Sequence, residues 1–272
     1  MSASDTDHLF AGSIPKLYDD ILVPLIFAPY ATDLAERLKS RPLSRVLEIA
    51  AGTGVLTRAM DRTLPSGVAI VATDLNQAML DQAAMVGTDR AVQWRQADAM
   101  ALPFADGEFD AVVCQFGVMF FPDRAKALSE ARRMLRPGGV LLFNVWDRIA
   151  ENEFADVLTT ALASLFPEDP PRFLARLPHG YHDSAVIAGD LADAGFGKPS
   201  RIEILAARSR AASSLVAAIA YCQGTPLRNE IEARDPSKLS AATELAAKAI
   251  AARFGGGVVD GKIQALVVTV EK

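Results

Sequence analysis

Between residues 45 and 146, short and continuously apolar segments alternate with longer segments of helical pattern. The apolar segments cover residues 45–50, 68–73, 91–96, 109–114 and 140–145, and the clearest helical ones cover 55–64, 76–86 and 124–136. Short apolar strands that alternate with helices are typical of a parallel sheet covered on both faces. The sequence therefore predicts a doubly wound α/β domain that extends from about residue 41 to the C-terminus.

The segments outside this core are less regular. Residues 18–40 have a helical pattern with prolines at 24 and 29, which predicts short, interrupted helices. After residue 146 the pattern predicts a helix over 184–194, a sixth strand over 201–207, about fifty mostly helical residues and a last strand over 262–270. Three segments are then left to form a helical lid: 1–40, and inserts at about 147–183 and 208–260.

Composition excludes several classes of protein. A hydrophobic content of 50% is too high for a disordered chain, and two cysteines supply neither a disulfide scaffold nor a zinc cluster. A net charge of −5 argues against a nucleic-acid binder. No apolar run approaches a membrane span, and no signal-peptide pattern opens the sequence. We expect a cytoplasmic protein with neither nucleic-acid nor membrane partners, and the sequence makes no prediction of its oligomeric state.

Polar residues stand where the predicted strands end. Glu48 precedes a turn that contains Gly52 and Gly54, Asp74 ends the second strand, and Asp98 follows the third. Gln115 follows the fourth strand in the same way. In open α/β sheets, ligands bind beyond the carboxyl ends of the strands, so these side chains are expected to converge. Each carboxylate also has a plainer interpretation, as a surface group for Glu48 or as a cap of the next turn or helix for Asp74 and Asp98.

The charges of this edge favour one kind of ligand. Asp74 lies 20 residues after Gly54, the spacing at which an acidic residue binds ribose hydroxyls. Glu48 would repel a pyrophosphate, Thr57 replaces the third glycine of a dinucleotide-binding turn, and the chain has no P-loop lysine. S-adenosylmethionine carries a sulfonium, an ammonium and a ribose diol without a phosphate, and it fits such an edge.

Four stretches in the expected order resemble the motifs of one family. They are VLEIAAGTGVLT (46–57), VATDLNQAML (71–80), QADAMALPFADGEFDAVVCQFGVMFFPD (96–123) and RMLRPGGVLLFNVW (133–146). The chain resembles the class I S-adenosylmethionine-dependent methyltransferases, especially the small-molecule type that includes the ubiquinone/menaquinone-biosynthesis enzymes. The resemblance implies a Rossmann-like sheet of seven strands, with the last strand antiparallel and inserted between strands five and six.

The resemblance also implies roles for particular residues. The methionine part of the cofactor would contact Glu48, with the sulfonium side lined by Gln115 and Phe116 and the backbone floor formed by Ala50, Gly52, Thr53 and Gly54. The ribose would be held by Asp74 and the adenine by Leu75, Met79, Asp98 and Ala99, while Tyr18 resembles a tyrosine that contacts the cofactor in many relatives. The family often has glycine at the position of Ala50, and we expect alanine there to cost little.

The three predicted lid segments are rich in aromatic residues and poor in clustered charges. We expect them to enclose an apolar substrate pocket, to which they offer Phe10, Tyr18, Phe27, Tyr30, Phe154, Phe173, Tyr181 and Tyr221. The residues proposed to contact the substrate are Tyr30, Phe120, Tyr181 and Tyr221.

The predicted reaction is methyl transfer to a small, partly apolar molecule. Such an in-line displacement depends on positioning, and it needs a protein base only when the acceptor must lose a proton. His179 and His182 are the candidate bases, although a loop histidine without a catalytic task is the more frequent case. The sequence contains no metal-ligand pattern of the catechol-methylating kind.

Two rival functions remain open at this stage. A NAD(P)-dependent oxidoreductase is disfavoured by Glu48, by Thr57 and by the absence of a Tyr-x-x-x-Lys pair. A non-methylating or non-catalytic protein that binds S-adenosylmethionine would keep the same binding residues, and the sequence does not separate it from the enzyme.

Overall fold

The computed structural model describes residues 14–272 of the chain, with side chains from Lys16 onward. The predicted contribution of Phe10 to a substrate pocket lies outside the described residues. No helix within this range combines the length and the apolar character that crossing a membrane requires.

One seven-stranded sheet forms the framework, as the sequence and the family resemblance predict. Its strands are β1 (Arg45–Ile49), β2 (Ala69–Asp74), β3 (Gln93–Gln96), β4 (Phe109–Gln115), β5 (Leu135–Trp146), β6 (Arg201–Ala211) and β7 (Val259–Glu271), in the spatial order β3-β2-β1-β4-β5-β7-β6. Strands β1 to β5 pair in parallel, whereas β7 runs antiparallel to β5, from Val140↔Glu271 to Trp146↔Ala265. The order reverses beside β1, so that the carboxyl ends of β1 and β4 flank a crevice.

The α-helices alternate with these strands. They are α1 (Ile14–Leu17), α2 (Ala28–Lys39), α3 (Val55–Thr63), α4 (Gln77–Val86), α5 (Arg124–Met134), α6 (Glu153–Leu165), α7 (Phe173–Arg176), α8 (Ser184–Asp193), α9 (Ser214–Gln223), α10 (Leu227–Arg234) and α11 (Leu239–Phe254). A π-helical segment, Tyr18–Phe27, joins α1 to α2.

The described chain divides into two compact units. The sheet unit contains Ala28–Trp146, Tyr181–Leu205 and Ala265–Lys272, and the helical unit contains the chain up to Phe27, Asp147–Gly180 and Ala206–Gln264. Residues 28–40, which the sequence assigns to the lid, belong to the sheet unit. The assignment of the remaining lid segments stays a prediction.

The core of the sheet unit lies under α2 and α3. Leu34 and Leu38 of α2, Leu56 and Met60 of α3, and Val113 of β4 are all buried in one cluster. The helical spacing of these residues places them on the same side of each helix, against a strand that is apolar on both faces. This packing fixes β1 and β4, from which the candidate site is built.

The junction of α5 and β5 differs from the prediction. A helix was expected to continue to Arg136, but α5 ends at Met134 and β5 begins at Leu135, which pairs with Phe109. The register then shifts before Val140 meets Ala111, so the Pro-Gly-Gly sequence at 137–139 forms an irregularity inside β5. Hydrogen bonds to the last residue of the chain stabilise it: the Lys272 N–H donates to the Gly139 carbonyl at 2.9 Å.

The N-terminal prolines also behave differently from the prediction. Helical structure is continuous from Ile14 to Lys39, and Pro24 lies inside the π-helical segment instead of ending a helix. In a regular α-helix a proline removes one hydrogen bond and clashes with the carbonyl four residues before it. Pro24 and Pro29 thus lie within and directly after a π-helical segment, where the hydrogen-bond pattern departs from that of a regular α-helix.

Candidate functional site

The turn between β1 and α3 forms the floor of the site. Ala50, Gly52 and Gly54 all have positive φ angles, of 54°, 56° and 83°. The turn is tied down at both ends, because the Ala51 N–H donates to the Thr73 carbonyl and the Gly54 N–H donates to the Ala51 carbonyl, each at 2.9 Å. Positive φ is unfavourable for a residue with a Cβ, so Ala50 stores strain that the sequence analysis did not expect.

Gly54 is required by its surroundings as well as by its conformation. A Cβ on this residue would lie 2.9 Å from the Trp94 ring and 3.2 Å from the Ala83 side chain. Gly52 is less crowded, since its nearest neighbour would be the end of the buried Met79 side chain at 3.6 Å. The turn therefore packs directly against α4 and β3.

Glu48 is a buried carboxyl group directly before this turn. It is 1% exposed, and its Oε2 accepts a hydrogen bond from the Thr57 hydroxyl at 2.5 Å. Burial raises the pKa of Glu48 to about 8, although the Thr57 hydrogen bond and the Arg58 charge act in the opposite direction. A buried carboxyl group with a raised pKa is ionised by a cation that binds beside it, so the site is suited to a positively charged ligand.

Asp74 connects the ends of β1 and β2. One carboxylate oxygen accepts from the Gly52 N–H and the other accepts from the Asn76 N–H, both at 2.8 Å. Burial raises the pKa of Asp74, and interactions with the Asn76, Gly52 and Leu75 backbone and with the Asn76 side chain oppose this rise. Each carboxylate oxygen can accept a further hydrogen bond. Asp74 thus orders both the glycine turn at Gly52 and the start of α4 at Asn76. Its oxygens can still accept hydrogen bonds from the hydroxyl groups of a ligand.

The predicted adenine contacts lie beside Asp74 in the chain or at the next strand. Leu75 is about half exposed, at 54%, whereas Met79 is buried. Asp98 is exposed and accepts from the Met100 N–H at 2.8 Å, as its plainer interpretation as a turn cap requires, and Ala99 is buried next to it. Leu75 is thus the exposed apolar residue of this predicted set.

The end of β4 holds a second strained residue. Phe116 has a φ of 51°, and its N–H donates to both the carbonyl and the Oδ1 of Asn144, at 3.1 and 2.9 Å. The adjacent Gly117 is tightly enclosed, because a Cβ there would lie 2.6 Å from both the Ala50 side chain and the Cys114 sulfur. The strained turns that follow β1 and β4 are therefore in contact.

Asn144 is a residue of this site that the sequence analysis missed. It is fully buried in β5, beside Gln115 of β4 in the sheet register. The available signal was a single amide residue within the otherwise apolar strand sequence VLLFNV. A buried polar residue in such a strand needs hydrogen-bond partners, which is a reason to examine it.

An aromatic cluster packs around Phe116, in the turn that follows β4. The Phe116 ring stacks on Trp146 with centroids 3.9 Å apart, and the Tyr30 ring meets both edge-on at 5.2 and 5.3 Å. Tyr30 is fully buried, and its hydroxyl donates to the Leu205 carbonyl at 3.4 Å. Tyr30, which was predicted to contact substrate, packs in this cluster.

The other predicted substrate and base residues of the sheet unit lie near the start of α8 and at the end of β4. The Tyr181 hydroxyl donates to Asp190 at 2.7 Å, and the Arg124 guanidinium lies 4.5 Å from its ring centre. Burial and the Asp190 carboxylate raise the pKa of Tyr181. His182 and Phe120 are half-buried.

Three of the predicted site residues belong to the helical unit, as do the predicted pocket residues Phe27, Phe154 and Phe173. The Tyr18 ring stacks on Phe27 with centroids 5.0 Å apart. The Nδ1 of the buried His179 lies 2.8 Å from the Asp147 carbonyl oxygen. Tyr221 is buried, and burial raises the pKa of its hydroxyl.

The structure thus brings together the predicted cofactor residues of the sheet unit around the ends of β1, β2 and β4, and leaves Asp98 exposed at the end of β3. Across residues 14–272, no group of three or more His, Cys, Asp or Glu side chains is arranged to hold a metal ion.

Comparisons with known proteins agree with this geometry. A family model described as a methyltransferase domain matches residues 47–143. A ubiquinone/menaquinone biosynthesis C-methyltransferase of Teredinibacter turnerae is 32% identical over 221 residues, which cover 73% of this chain and 87% of that protein. An uncharacterised protein of Mycobacterium tuberculosis is 36% identical over 137 residues, and the chain spans about half (48%) of its length.

A solved structure has the same fold. The crystal structure of a Bacillus halodurans protein described as a putative methyltransferase superposes with a TM-score of 0.57, covering 89% of this chain and 98% of that one at 20% identity. The extent of the match to the Teredinibacter turnerae protein, together with the methyltransferase domain over residues 47–143, confirms the family that the motifs indicate. The chain belongs to the class I methyltransferases that use S-adenosylmethionine as their cofactor.

Proposed function

We propose that the protein transfers a methyl group from S-adenosylmethionine to a small, partly apolar molecule. One observation carries this proposal: the buried Glu48, whose pKa is raised to about 8, stands directly before a left-handed glycine turn that Asp74 holds in place. The Glu48 carboxyl group favours a cationic ligand, and the turn lets a ligand approach the backbone closely. Asp74 can accept hydrogen bonds from the hydroxyl groups of a ligand. S-adenosylmethionine supplies a cationic ammonium and sulfonium for Glu48 and ribose hydroxyls for Asp74. When bound, it supplies an electrophilic methyl group.

The residues of the chain would bind the cofactor and orient it for the transfer. We assign the methionine part to Glu48 and the turn backbone of Ala50, Gly52, Thr53 and Gly54, the ribose to Asp74, the adenine to Leu75, Met79, Asp98 and Ala99, and the sulfonium side to Gln115 and Phe116. Tyr18 remains a proposed cofactor contact. Because positioning supplies much of the acceleration of a displacement, the two strained turns would act by holding these contacts fixed.

Proton removal, where the acceptor requires it, is assigned to His179 or His182. A carbonyl oxygen only accepts, so the contact of His179 with the Asp147 carbonyl places the proton on Nδ1. His179 would then take a proton at Nε2, with its ring orientation set by Asp147. This contact would fix the tautomer and the ring orientation that His179 needs in order to act as a base.

The acceptor is proposed to be partly apolar because aromatic residues dominate the carboxyl end of β4 and β5. Phe116 and Trp146 provide a stacked pair there. Tyr30, Phe120, Tyr181 and Tyr221 remain the proposed substrate contacts. A small apolar acceptor also agrees with the absence of a strongly basic composition, since the chain has 28 basic and 33 acidic residues.

Calorimetry and turnover together test the proposal. Titrations with S-adenosylmethionine and with NAD should give binding of the first alone, and binding of NAD alone would support the oxidoreductase instead. Formation of S-adenosylhomocysteine with a panel of hydroxylated and aminated aromatic acceptors should then identify the enzyme. Tight cofactor binding without turnover on any acceptor class would favour the non-methylating alternative.

A further inference from the structure

Two buried amide atoms at the ends of β4 and β5 have no hydrogen-bond partner in the structure. They are the acceptor Oε1 of Gln115 and the donor Nδ2 of Asn144. Gln115 is 9% exposed and Asn144 is fully buried. Because an unmatched buried polar group destabilises a fold, such atoms in native proteins usually meet a protein group, a water molecule or a ligand.

The orientation of the Asn144 amide follows from its other contact. Its Oδ1 accepts from the Phe116 N–H at 2.9 Å, which only the oxygen end of the amide can do. The Nδ2 atom is therefore the end that points away from Phe116. An amide flip cannot remove the unmatched donor without breaking the hydrogen bond that holds the strained Phe116.

The two unmatched atoms belong to neighbouring residues. Gln115 and Asn144 are register partners on adjacent parallel strands, which lie about 4.8 Å apart, and register partners point to the same face of a sheet. Trp146 follows Asn144 by two residues and so faces the same side, where its ring stacks on Phe116. An acceptor, a donor and an aromatic wall are thus placed together at the carboxyl edge of the sheet.

We propose that Gln115 and Asn144 together bind one hydroxyl group of the methyl acceptor. This inference rests on the proposed methyltransferase function, and it narrows the substrate to an alcohol, a phenol or an enol with an apolar body. A single hydroxyl oxygen can donate its proton to Gln115 Oε1 and accept from Asn144 Nδ2. An ammonium group has no acceptor and an ether has no donor, so either would leave one amide atom unmatched.

Matched probes that differ in one hydroxyl group test the inference. The pairs are 1-naphthol with 1-methoxynaphthalene and benzyl alcohol with benzyl methyl ether, titrated into the protein alone and with S-adenosylhomocysteine, with dissociation constants from ligand-observed NMR. We expect at least one hydroxyl probe to bind about tenfold or more tightly than its ether, because an ether leaves a buried acceptor unpaired.

The variant Gln115→Met keeps the size of the side chain and removes the acceptor. We define the hydroxyl preference as the dissociation constant of the ether divided by that of its hydroxyl partner. In Gln115→Met this ratio should fall to near one. The melting temperature of the ligand-free protein should rise, because an unmatched polar atom has been removed. The control Gln93→Met makes the same exchange at an exposed position of β3 and should retain the wild-type preference. A residue with a purely structural role would not couple a gain in stability to a loss of hydroxyl preference.

Two results would overturn the inference. The first is that the wild-type protein binds both members of every pair equally, or binds neither. The second is a hydroxyl preference that persists in Gln115→Met. A bridging water molecule would give the first of these results. Failure of the proposed function is separate, since it would appear as a wild-type protein that does not bind S-adenosylmethionine in calorimetry.

Discussion

At the scale of residues, the three carboxylates at the ends of neighbouring strands differ in environment. Glu48 is almost fully buried, Asp74 is buried but receives two backbone hydrogen bonds, and Asp98 is exposed. The same chemical group is therefore proposed to serve three purposes: a response to cations at Glu48, ordering of the turn and binding of hydroxyl groups at Asp74, and a weaker surface contact at Asp98. Their measured contributions to cofactor binding should differ accordingly.

Removal of the Asp74 carboxylate should weaken cofactor binding. Asp74→Ala is expected to lower the affinity for S-adenosylmethionine by roughly 1–3 kcal/mol, the usual loss for a hydrogen bond to a charged group. Calorimetry measures this change directly. Asp81→Ala, on an exposed face of α4, is the control and should bind as the wild type does. An unchanged affinity in Asp74→Ala would remove this residue from the site.

The raised pKa of Glu48 predicts a pH-dependent stability. Below about 4.5, its ordinary value, Glu48 is protonated in the folded and unfolded chain alike, and between there and about 8 the folded state binds more protons. Stability should therefore fall as pH rises through this window. In Glu48→Gln, the loss of unfolding free energy in urea between about pH 5 and pH 8 should be smaller than in the wild type.

An exposed carboxylate supplies the control for this experiment. Glu36 lies on the outer face of α2, so Glu36→Gln should show the wild-type dependence on pH. Equal pH dependence in Glu48→Gln and the wild type would mean that Glu48 is ionised in the folded protein without a bound cation.

At Ala50 we expect a substitution to raise the free energy of unfolding. Its φ of 54° is unfavourable for alanine and acceptable for glycine. Ala50→Gly should stabilise the protein by about 0.5 kcal/mol, since the relieved strain exceeds the entropy that glycine adds to the unfolded chain. Ala84→Gly, at an exposed position in the last turn of α4, should instead destabilise the protein, by up to about 1 kcal/mol. Urea unfolding of both variants compares the two effects, and a loss of stability in Ala50→Gly would contradict this account.

At the scale of elements, the turn between β1 and α3 determines whether the floor of the site can form. Gly54 combines a φ of 83° with contacts that leave no room for a Cβ. Gly54→Ala should destabilise the protein by about 1–3 kcal/mol and reduce cofactor binding, because the Trp94 ring must move. Urea unfolding and calorimetry provide the two measurements.

A second glycine separates these effects from the general cost of adding a methyl group. Gly67 has no atom within 4 Å of the position that a Cβ would occupy. Gly67→Ala should leave both stability and affinity near the wild-type values. Similar losses in both variants would show that crowding at Gly54 is not the cause.

At the scale of the whole molecule, a ligand that binds only the folded state must raise the unfolding temperature. S-adenosylmethionine at one hundred times its dissociation constant should add about 2.7 kcal/mol of stability. For a chain of this size the melting temperature should then rise by about 5–10 °C, while NAD at the same concentration should leave it unchanged. Differential scanning fluorimetry measures both, and an increase with NAD alone would contradict the cofactor assignment.

The alternation of apolar segments and the residues at the strand ends were sufficient to predict the sheet. The parallel core and the expected convergence of Glu48, Asp74 and Gln115 follow from period, turn chemistry and strand order, whereas the antiparallel last strand was implied by the family resemblance. These features depend on residues that are close in the chain, or on rules common to all doubly wound sheets. For the same reason the predictions failed where neighbours distant in sequence decide the structure, as at the start of β5, where Phe109 pairs with Leu135.

The sequence by itself determined the fold class and the family, because those are encoded in local patterns of apolar, glycine and acidic residues, and the same patterns supplied the proposed cofactor residues. Tertiary structure alone decided the environment of each group: the raised pKa of Glu48, the strain at Ala50 and Phe116, and the unmatched amides of Gln115 and Asn144. Desolvation, backbone strain and hydrogen-bond matching depend on which atoms surround a residue, and those atoms come from strands that are far apart in the chain.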